Sequence, residues 1–275
     1  MELDDFELQF PDPKLRDPHA IAVHAQWLNG GYVGDVVFDR LISGLGATSL
    51  GALRTPGRFY DFTINRPTLY TDGTGGRKIE IPTSVVYHVR REPHDLVLLY
   101  LLEPNHLWES YEEGVIDLVE KLGVTRYVVV GGIEDRVPHT RPIVVTGESG
   151  DAQLSERFGE MKVRAVIDRD PGASPTSELS LIPQELQNRG TTTASLIAHV
   201  PYYLRFESGD STCASKLIRI LMGLENIEFP QEALESLEDS GRQQYNRLNQ
   251  GILGDLGLIS DVRRLERAYD QRFRP

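Results

Sequence analysis

Cysteine is nearly missing from this chain, since Cys213 is the only one among 275 residues. One cysteine forms no internal disulfide, and this usage is typical of proteins that fold in a reducing compartment such as the cytoplasm. The residues around Cys213 have the pattern of a first helical turn. We expect a small buried helix residue rather than a nucleophile, because an isolated cysteine usually packs like an apolar side chain.

Positive charge is also scarce, because 29 lysines and arginines stand against 41 aspartates and glutamates, for a formal net charge of −12. Nucleic acids and anionic membrane surfaces require clustered cations, so we predict neither as a partner. No stretch approaches the about 18 apolar residues of a membrane-spanning helix. The first residues lack a basic and apolar leader, so we predict no signal peptide and a cytoplasmic protein.

The common motifs of catalysis and cofactor binding are missing as well. The chain has no Gly-x-Gly-x-x-Gly fingerprint, no Walker loop and no nucleophile elbow. Its seven histidines are scattered and do not have the spacing of metal ligands. We therefore predict no cofactor and no metal, and a non-catalytic protein is favoured over an enzyme.

The pattern that is present is an alternation of strands and helices. Between the strands, apolar residues recur at helical spacing. A stretch at 59–91 instead favours an antiparallel meander or β-hairpin insertion. The alternation predicts an α/β fold, a three-layer α/β/α sandwich with a mainly parallel sheet. Short apolar runs that predict buried strands lie at 21–25, 96–102, 125–130 and 191–200.

Composition divides the chain into three regions. Residues 1–18 are acidic and contain three prolines, which predicts an extended arm on the surface or on a neighbouring subunit. Residues 19–228 carry the α/β pattern. Residues 229–275 show only helical spacing, so we predict a helical C-terminal extension. Its narrow apolar stripe must be buried, either against its own domain or against a second subunit.

The best candidate for chemistry is the segment 137–142, Val-Pro-His-Thr-Arg-Pro. It follows a buried strand that we expect to end at Gly131 and Gly132, at the sheet edge where ligand crevices form. Arg141 would hold a phosphate or carboxylate in a forked contact, and His139 would act as a general acid or base. The structural alternative is a salt bridge from Arg141 to Glu134 or Asp135.

Two further residues are expected at the same edge. Glu103 follows another central strand, and Thr176 precedes a helix whose free amides would receive an anion. The competing role in each segment is helix capping, by Asn105 before the helix that includes Leu107 and by Thr176 in its own helix. The candidate ligand crevice thus consists of Glu103, His139, Thr140, Arg141 and Thr176.

These segments together resemble the PAC2 family, named for proteasome assembly chaperone 2, over about residues 21 to 224. The helical tail and the excess of arginine over lysine are similar to the actinobacterial branch. The segments that carry the resemblance are 30–35 (Gly-Gly-Tyr-Val-Gly-Asp), 59–63 (Phe-Tyr-Asp-Phe-Thr), 66–67 (Arg-Pro), 102–104 (Leu-Glu-Pro) with Trp108, and 137–142.

The resemblance implies a sandwich like that of nucleoside phosphorylases and hydrolases. It also implies symmetric oligomers, commonly trimers in bacterial members, and a role as an assembly chaperone or scaffold for protein clients such as proteasome subunits. It implies no reaction. The alternative function is a small-molecule or anion-binding protein, or an enzyme, that uses the crevice near Glu103, His139 and Arg141. A further alternative is the binding of basic proteins by the acidic arm.

Two segments depart from the family pattern. Members often have Gly-Pro-Thr-Gly where this chain has Ala-Ser-Pro-Thr-Ser at 173–177, so the close backbone approach to an anion that glycine allows is missing. Archaeal relatives dock on the proteasome through a C-terminal hydrophobic-Tyr-any tripeptide, whereas this sequence has Phe-Arg-Pro at 273–275. The resemblance therefore does not extend to docking by such a tripeptide.

Overall fold

The strands and helices alternate along the chain, as the sequence predicts. The computed structural model describes residues 5–9, 13–71, 73–165, 176–252 and 256–273. Its strands are β1 (Phe6–Leu8), β2 (His19–His24), β3 (Thr48–Leu53), β4 (Thr68–Thr71), β5 (Arg77–Glu80), β6 (Val85–Val89), β7 (Leu96–Leu101), β8 (Arg126–Asp135), β9 (Val145–Ser149), β10 (Arg164–Ala165) and β11 (Thr192–Pro201). Its α-helices are α1 (Val33–Leu45), α2 (Trp108–Lys121), α3 (Ala152–Glu160), α4 (Leu181–Asn188), α5 (Ser211–Leu224), α6 (Gln231–Ile252) and α7 (Leu256–Arg272). Within these ranges, no helix combines the length and the apolar content that crossing a bilayer requires.

Two compact units are built from segments that are distant in the sequence. The first contains residues 1–27, 47–128 and 173–193. The second contains residues 28–46, 129–172 and 194–275. Strands β8 and β11 begin in the first unit and continue in the second.

In the first unit, five strands are hydrogen-bonded in the order β1-β3-β6-β7-β2. Strands β2 and β7 are parallel, with His19 opposite Leu96, and the pairs toward β1 are antiparallel. The starts of β8 and β11 continue this sheet, because the Thr125 amide donates to the Pro18 carbonyl and the Thr192 amide donates to the Thr125 carbonyl. The apolar run of β7 is almost entirely buried, as expected for a strand covered on both faces.

The described part of the acidic N-terminal segment includes strand β1, which belongs to the sheet. Strand β1 pairs with β3, and Phe6 is 1% exposed. Asp5 accepts a hydrogen bond from Arg58 at 2.8 Å. The segment therefore contributes an apolar side chain to the core and a mostly covered carboxylate that pairs with Arg58.

The predicted β-hairpin insertion is confirmed, although its boundaries differ. Strands β4 and β5 form an antiparallel pair outside the main sheet, with Leu69 opposite Ile79. The β-prone segment 59–64 is not a strand, because its aromatic residues turn inward. The Tyr60 hydroxyl lies 2.8 Å from Ser84 Oγ, which in turn lies 2.6 Å from the Tyr111 hydroxyl.

In the second unit, the strands follow the order β8-β11-β9-β10. Strands β8 and β11 remain parallel, because the Tyr202 amide donates to the Asp135 carbonyl in the same register as the Thr192–Thr125 pair. Strand β9 is antiparallel to β11 and parallel to β10. The predicted fold class, an α/β fold with a mainly parallel sheet and C-terminal helices, is confirmed.

The prediction that the glycine pair ends its strand is wrong, because β8 runs through Gly131 and Gly132 to Asp135. These glycines allow close packing instead of a turn. A Cβ atom would lie 2.0 Å from the Leu28 carbonyl oxygen at Gly131 and 2.6 Å from the Gly30 carbonyl oxygen at Gly132. Since any larger side chain would collide with this backbone, the pair lets residues 28–30 lie against β8.

Helix α5 begins as the sequence predicts. Asp210 is its N-cap and accepts a hydrogen bond from the Cys213 amide at 2.9 Å. Cys213 is fully buried, and burial raises the pKa of its thiol well above the ordinary value. The expectation that Cys213 is a structural helix residue agrees with this environment, because a protonated buried thiol is a poor nucleophile.

Candidate functional site

His139 lies in the loop between β8 and β9 and is only 6% exposed. Its backbone amide donates to the Tyr203 hydroxyl at 2.9 Å, and its ring Nδ1 lies 2.7 Å from the same hydroxyl. Its ring Nε2 lies 2.9 Å from the side-chain oxygen of Asn249 in α6. An amide oxygen only accepts, so Nε2 carries a hydrogen in the contact with Asn249. Both ring nitrogens of His139 are thus hydrogen-bonded within the chain.

Arg141 binds carboxylates, as its forked donor geometry predicts, but they belong to α7. Its Nε and Nη2 donate to the two oxygens of Asp270 at 2.9 and 2.8 Å. Its Nη1 donates to Glu266 at 3.1 Å, and the Thr140 hydroxyl donates to the same oxygen at 2.6 Å. The hydrogen bonds from Arg141 to Asp270 and the nearby negative charges raise the pKa of Arg141 above its usual value.

The alternative salt bridge from Arg141 to Glu134 or Asp135 is not formed. Glu134 pairs with Arg205 at 2.6 Å, and Asp135 lies 2.8 Å from Nδ1 of His199. Both acidic residues belong to the extended end of β8, where side chains alternate between the two faces of the sheet. Their position is fixed by the strand, so closeness in sequence to Arg141 does not bring them to it.

Further contacts fix the end of α7 within the second unit. The Tyr269 hydroxyl donates to the Pro142 carbonyl at 2.9 Å. The ring of Phe273 lies 4.5 Å from the guanidinium of Arg164, a cation–π distance. Together with the Arg141 pairs, these contacts show that the helical extension packs on its own chain, which the sequence left open.

Helix α6 is fixed by polar groups beneath it. The Tyr245 hydroxyl donates to Asp210 at 2.9 Å, so the capping carboxylate of α5 also binds α6. Burial raises the pKa of Asp210. The backbone of α6 comes close to α5 at Gly241, where a Cβ atom would lie 2.5 Å from Thr212 Oγ1.

Sequence reasoning missed a second polar cluster, which consists of Asp135, His199 and Thr146. Nδ1 of His199 faces Asp135, and Nε2 lies 3.0 Å from Thr146 Oγ1. Carboxylate, imidazole and hydroxyl occur in this order in hydrolase triads. Here Arg272 of α7 also binds the Asp135 carboxylate at 3.2 Å. We therefore interpret the cluster as an anchor for α7.

In the first unit, Glu103 meets a residue that sequence reasoning missed. Its side chain lies close to that of Glu178, and the pKa of Glu178 is raised by burial and then by the interaction with Glu103. A neighbouring carboxyl group disfavours the charged form, as burial does. The only sequence signal for Glu178 was its position two residues after the candidate Thr176.

Both capping predictions for this unit are wrong. The Asn105 side chain accepts hydrogen bonds from the Asp61 amide at 2.9 Å and from Asn65 at 3.0 Å, so it orders the preceding loop. Helix α2 begins after Leu107, without a side-chain cap. Thr176 is hydrogen-bonded to Ser180, whereas the short helical turn after it is capped by Ser177.

The predicted crevice residues thus divide between the two units. Glu103 and Thr176 belong to the first unit, and His139, Thr140 and Arg141 belong to the second. A crevice formed by all of them stays a prediction. The parts of the two departing segments at 173–175 and 274–275 lie outside the described residues.

The protein is an α/β protein with parallel central strands and helices that follow them. The loop after β8 binds the C-terminal helix through Thr140 and Arg141. The PAC2 family model matches residues 25–249, and the chain belongs to the PAC2 family. The predicted family is confirmed.

Solved structures share the fold over most of the chain. A PAC2 family protein from Streptomyces avermitilis is 27% identical, with a TM-score of 0.73 over 85% of this chain and 95% of that one. A Mycobacterium tuberculosis protein of unknown function is 23% identical, with a TM-score of 0.83 over 98% and 92%. A proteasome-assembly chaperone homologue from the same organism is 22% identical, with a TM-score of 0.74 over 88% and 99%. No curated protein matched the sequence.

The anchor at Asp135 predicts a pH dependence of stability. Its hydrogen bond with His199 is the main cause that lowers the pKa of Asp135 from 3.8 to about 2. Because the pKa of Asp135 is lower in the folded than in the unfolded chain, its carboxylate stabilises the fold at pH values above about 4. This stabilisation is lost as the pH falls from about 4 to about 2. Asp135→Asn should therefore lower the free energy of unfolding by about 1 kcal/mol at pH 6, and by less at pH 3.

Urea unfolding from pH 3 to pH 6 measures this difference. The control is Glu134→Gln, which removes the neighbouring carboxylate from its exposed pair with Arg205 and should have almost no effect. A wild-type minus Asp135→Asn difference that stays constant across this range would contradict the assignment.

The Tyr203 hydroxyl should stabilise the loop that contains His139, because it contacts both the amide and Nδ1 of that residue. Tyr203→Phe leaves the buried amide and Nδ1 of His139 without a partner, so we expect a loss of about 1–3 kcal/mol in the free energy of unfolding. Tyr202→Phe is the matched control, because its hydroxyl makes no hydrogen bond among the described residues and its side chain is 38% exposed. Equal urea midpoints for the two variants would refute the proposed network.

Proposed function

We propose that this chain is a non-catalytic assembly chaperone or scaffold that works as a cytoplasmic homotrimer, with proteasome subunits as its clients. The observation that carries the proposal is the PAC2 match over residues 25–249. Support comes from the fold shared with a protein described as a proteasome-assembly chaperone homologue. The acidic composition and single cysteine are compatible with this role.

The state of the candidate loop supports a role without catalysis. Both ring nitrogens of His139 are hydrogen-bonded within the chain, and Arg141 binds two carboxylates of α7. A ligand at Arg141 would have to displace Asp270 from a forked contact. A loop whose donors are already used by its own chain serves more readily as a structural joint than as a reaction centre.

Two measurements on the full-length protein test the proposal. Light scattering at micromolar concentration should give one discrete oligomer, and a trimer is the expected mass. Purified proteasome α- and β-subunits should assemble faster when the oligomer is present, as followed on native gels. An equal amount of an unrelated acidic protein is the control.

A monomer at all concentrations tested would contradict the homo-oligomer. An oligomer that neither binds the subunits nor alters their assembly would contradict the chaperone role. The scaffold role would then be the part of the proposal that still stands. The two parts of the proposal can therefore fail separately.

A second candidate function, the binding of a small anion, is favoured by one observation. The fork of Arg141 holds a carboxylate, and a free carboxylate or phosphate would fit the same donors. Asp270→Asn should weaken the internal pair and raise the affinity for acetate or phosphate, measured by calorimetry. Anion binding that is unchanged by both Asp270→Asn and Arg141→Ala would exclude this site.

A further inference from the structure

Exposed apolar side chains are concentrated in two places of the first unit. Seven of the eleven large apolar side chains that are exposed among the described residues lie there. The hairpin surface consists of Ile64, Leu69, Tyr70, Ile79 and Ile81, and the helix-start patch consists of Leu107 and Trp108. Concentrated apolar exposure of this kind marks interaction sites, whereas single exposed residues do not.

The hairpin surface belongs to a sheet of only two strands. All residues of β4 and β5 are exposed, and Leu69 lies opposite Ile79 in a two-stranded sheet of its own. Ile79 is 66% and Leu69 is 55% exposed. Because an isolated two-stranded hairpin is only marginally stable in water, a partner that covers this apolar pair would stabilise it.

The helix-start patch has a strained backbone that keeps an apolar side chain at the surface. Leu107 has a φ of 52°, in the left-handed region, and its side chain is 52% exposed. It occupies the N-cap position of α2, where a polar residue would bind free amides. The side chain of Asn65 donates to Asn105 at 3.0 Å, which connects the base of the hairpin to this helix start.

The two places carry opposite charges around their apolar centres. Arg66 and Arg77 are exposed on the hairpin. Arg77 shares the face of Leu69 and Ile79, whereas Lys78 and Glu80 lie on the opposite face, because side chains alternate along a strand. Glu109 and Glu113 are exposed on the first turns of α2, beside Trp108. The chain as a whole has a net charge of −12, so a cation such as Arg77 beside exposed apolar side chains differs from most of its surface. A second copy of this chain offers an acidic apolar patch that matches it.

We propose that the hairpin surface of one copy docks on the helix-start patch of a second copy. Leu69 and Ile79 pack against Leu107 and Trp108, and the hairpin cations lie beside the glutamates of α2. This inference rests on the proposed homo-oligomer and names its interface. Because the contact joins two different patches, its repetition generates a ring when the rotation closes, as a cyclic oligomer requires.

Charge reversal in the full-length chain tests the pairing. Arg66→Glu with Arg77→Glu, and separately Glu109→Lys with Glu113→Lys, should each raise the apparent dissociation constant of the oligomer by about tenfold or more, because like charges then face each other. The chain that combines all four substitutions should regain the wild-type mass. The matched control is Arg263→Glu with Arg264→Glu, an adjacent exposed pair on α7, which should leave the mass unchanged.

Light scattering over a dilution series measures these effects, and circular dichroism confirms that each variant is folded. Reversal variants that keep the wild-type mass would overturn the interface and leave the proposed oligomer standing. A combined variant that fails to regain the mass would overturn the pairing of these charges. A monomeric wild type would overturn both the interface and the oligomer.

Discussion

The forked ion pair between Arg141 and Asp270 is the interaction on which the arrangement of the candidate site depends. It puts a carboxylate of α7 where an external anion would otherwise bind, and it brings Glu266 within reach of the Thr140 hydroxyl. The same loop without α7 would present an unoccupied cation to solvent. With α7 in place, the loop connects β8 to the C-terminal helices through hydrogen bonds and ion pairs.

Polar contacts under α6 and α7 select one docking position for these helices. Their buried apolar residues, such as Leu234, Leu237 and Leu265, provide most of the stabilisation but define a position only weakly. The Tyr245–Asp210 hydrogen bond and the Asn249–His139 contact are each satisfied in one register. A shifted helix would leave these part-buried polar groups without hydrogen-bond partners. The polar network therefore adds specificity to the apolar packing.

Patterns local in sequence predicted the parts of the structure that local physics determines. The apolar run of β7 and the first turn of α5 around Cys213 are examples, and both are confirmed. The partners of Arg141 lie more than a hundred residues away on an exposed helix face, where no spacing rule indicates them. Gly131 and Gly132 were misread because glycine permits both a turn and a close approach, and only the neighbouring backbone distinguishes them. The shared crevice of Glu103 and Thr176 with the His139 loop stays a prediction.

Hydrogen exchange of the α7 amides in a double-mutant cycle tests most directly whether the Arg141–Asp270 pair holds this helix. Arg141→Ala and Asp270→Ala should each speed exchange in α7, and their effects should not add in the double variant, because both substitutions remove the Arg141–Asp270 pair. Arg141→Ala should have the larger effect, since it also removes the contact with Glu266. Arg267→Ala, an exposed arginine on the same helix, is the control. Unchanged exchange in the single variants, or effects that simply add, would contradict the account.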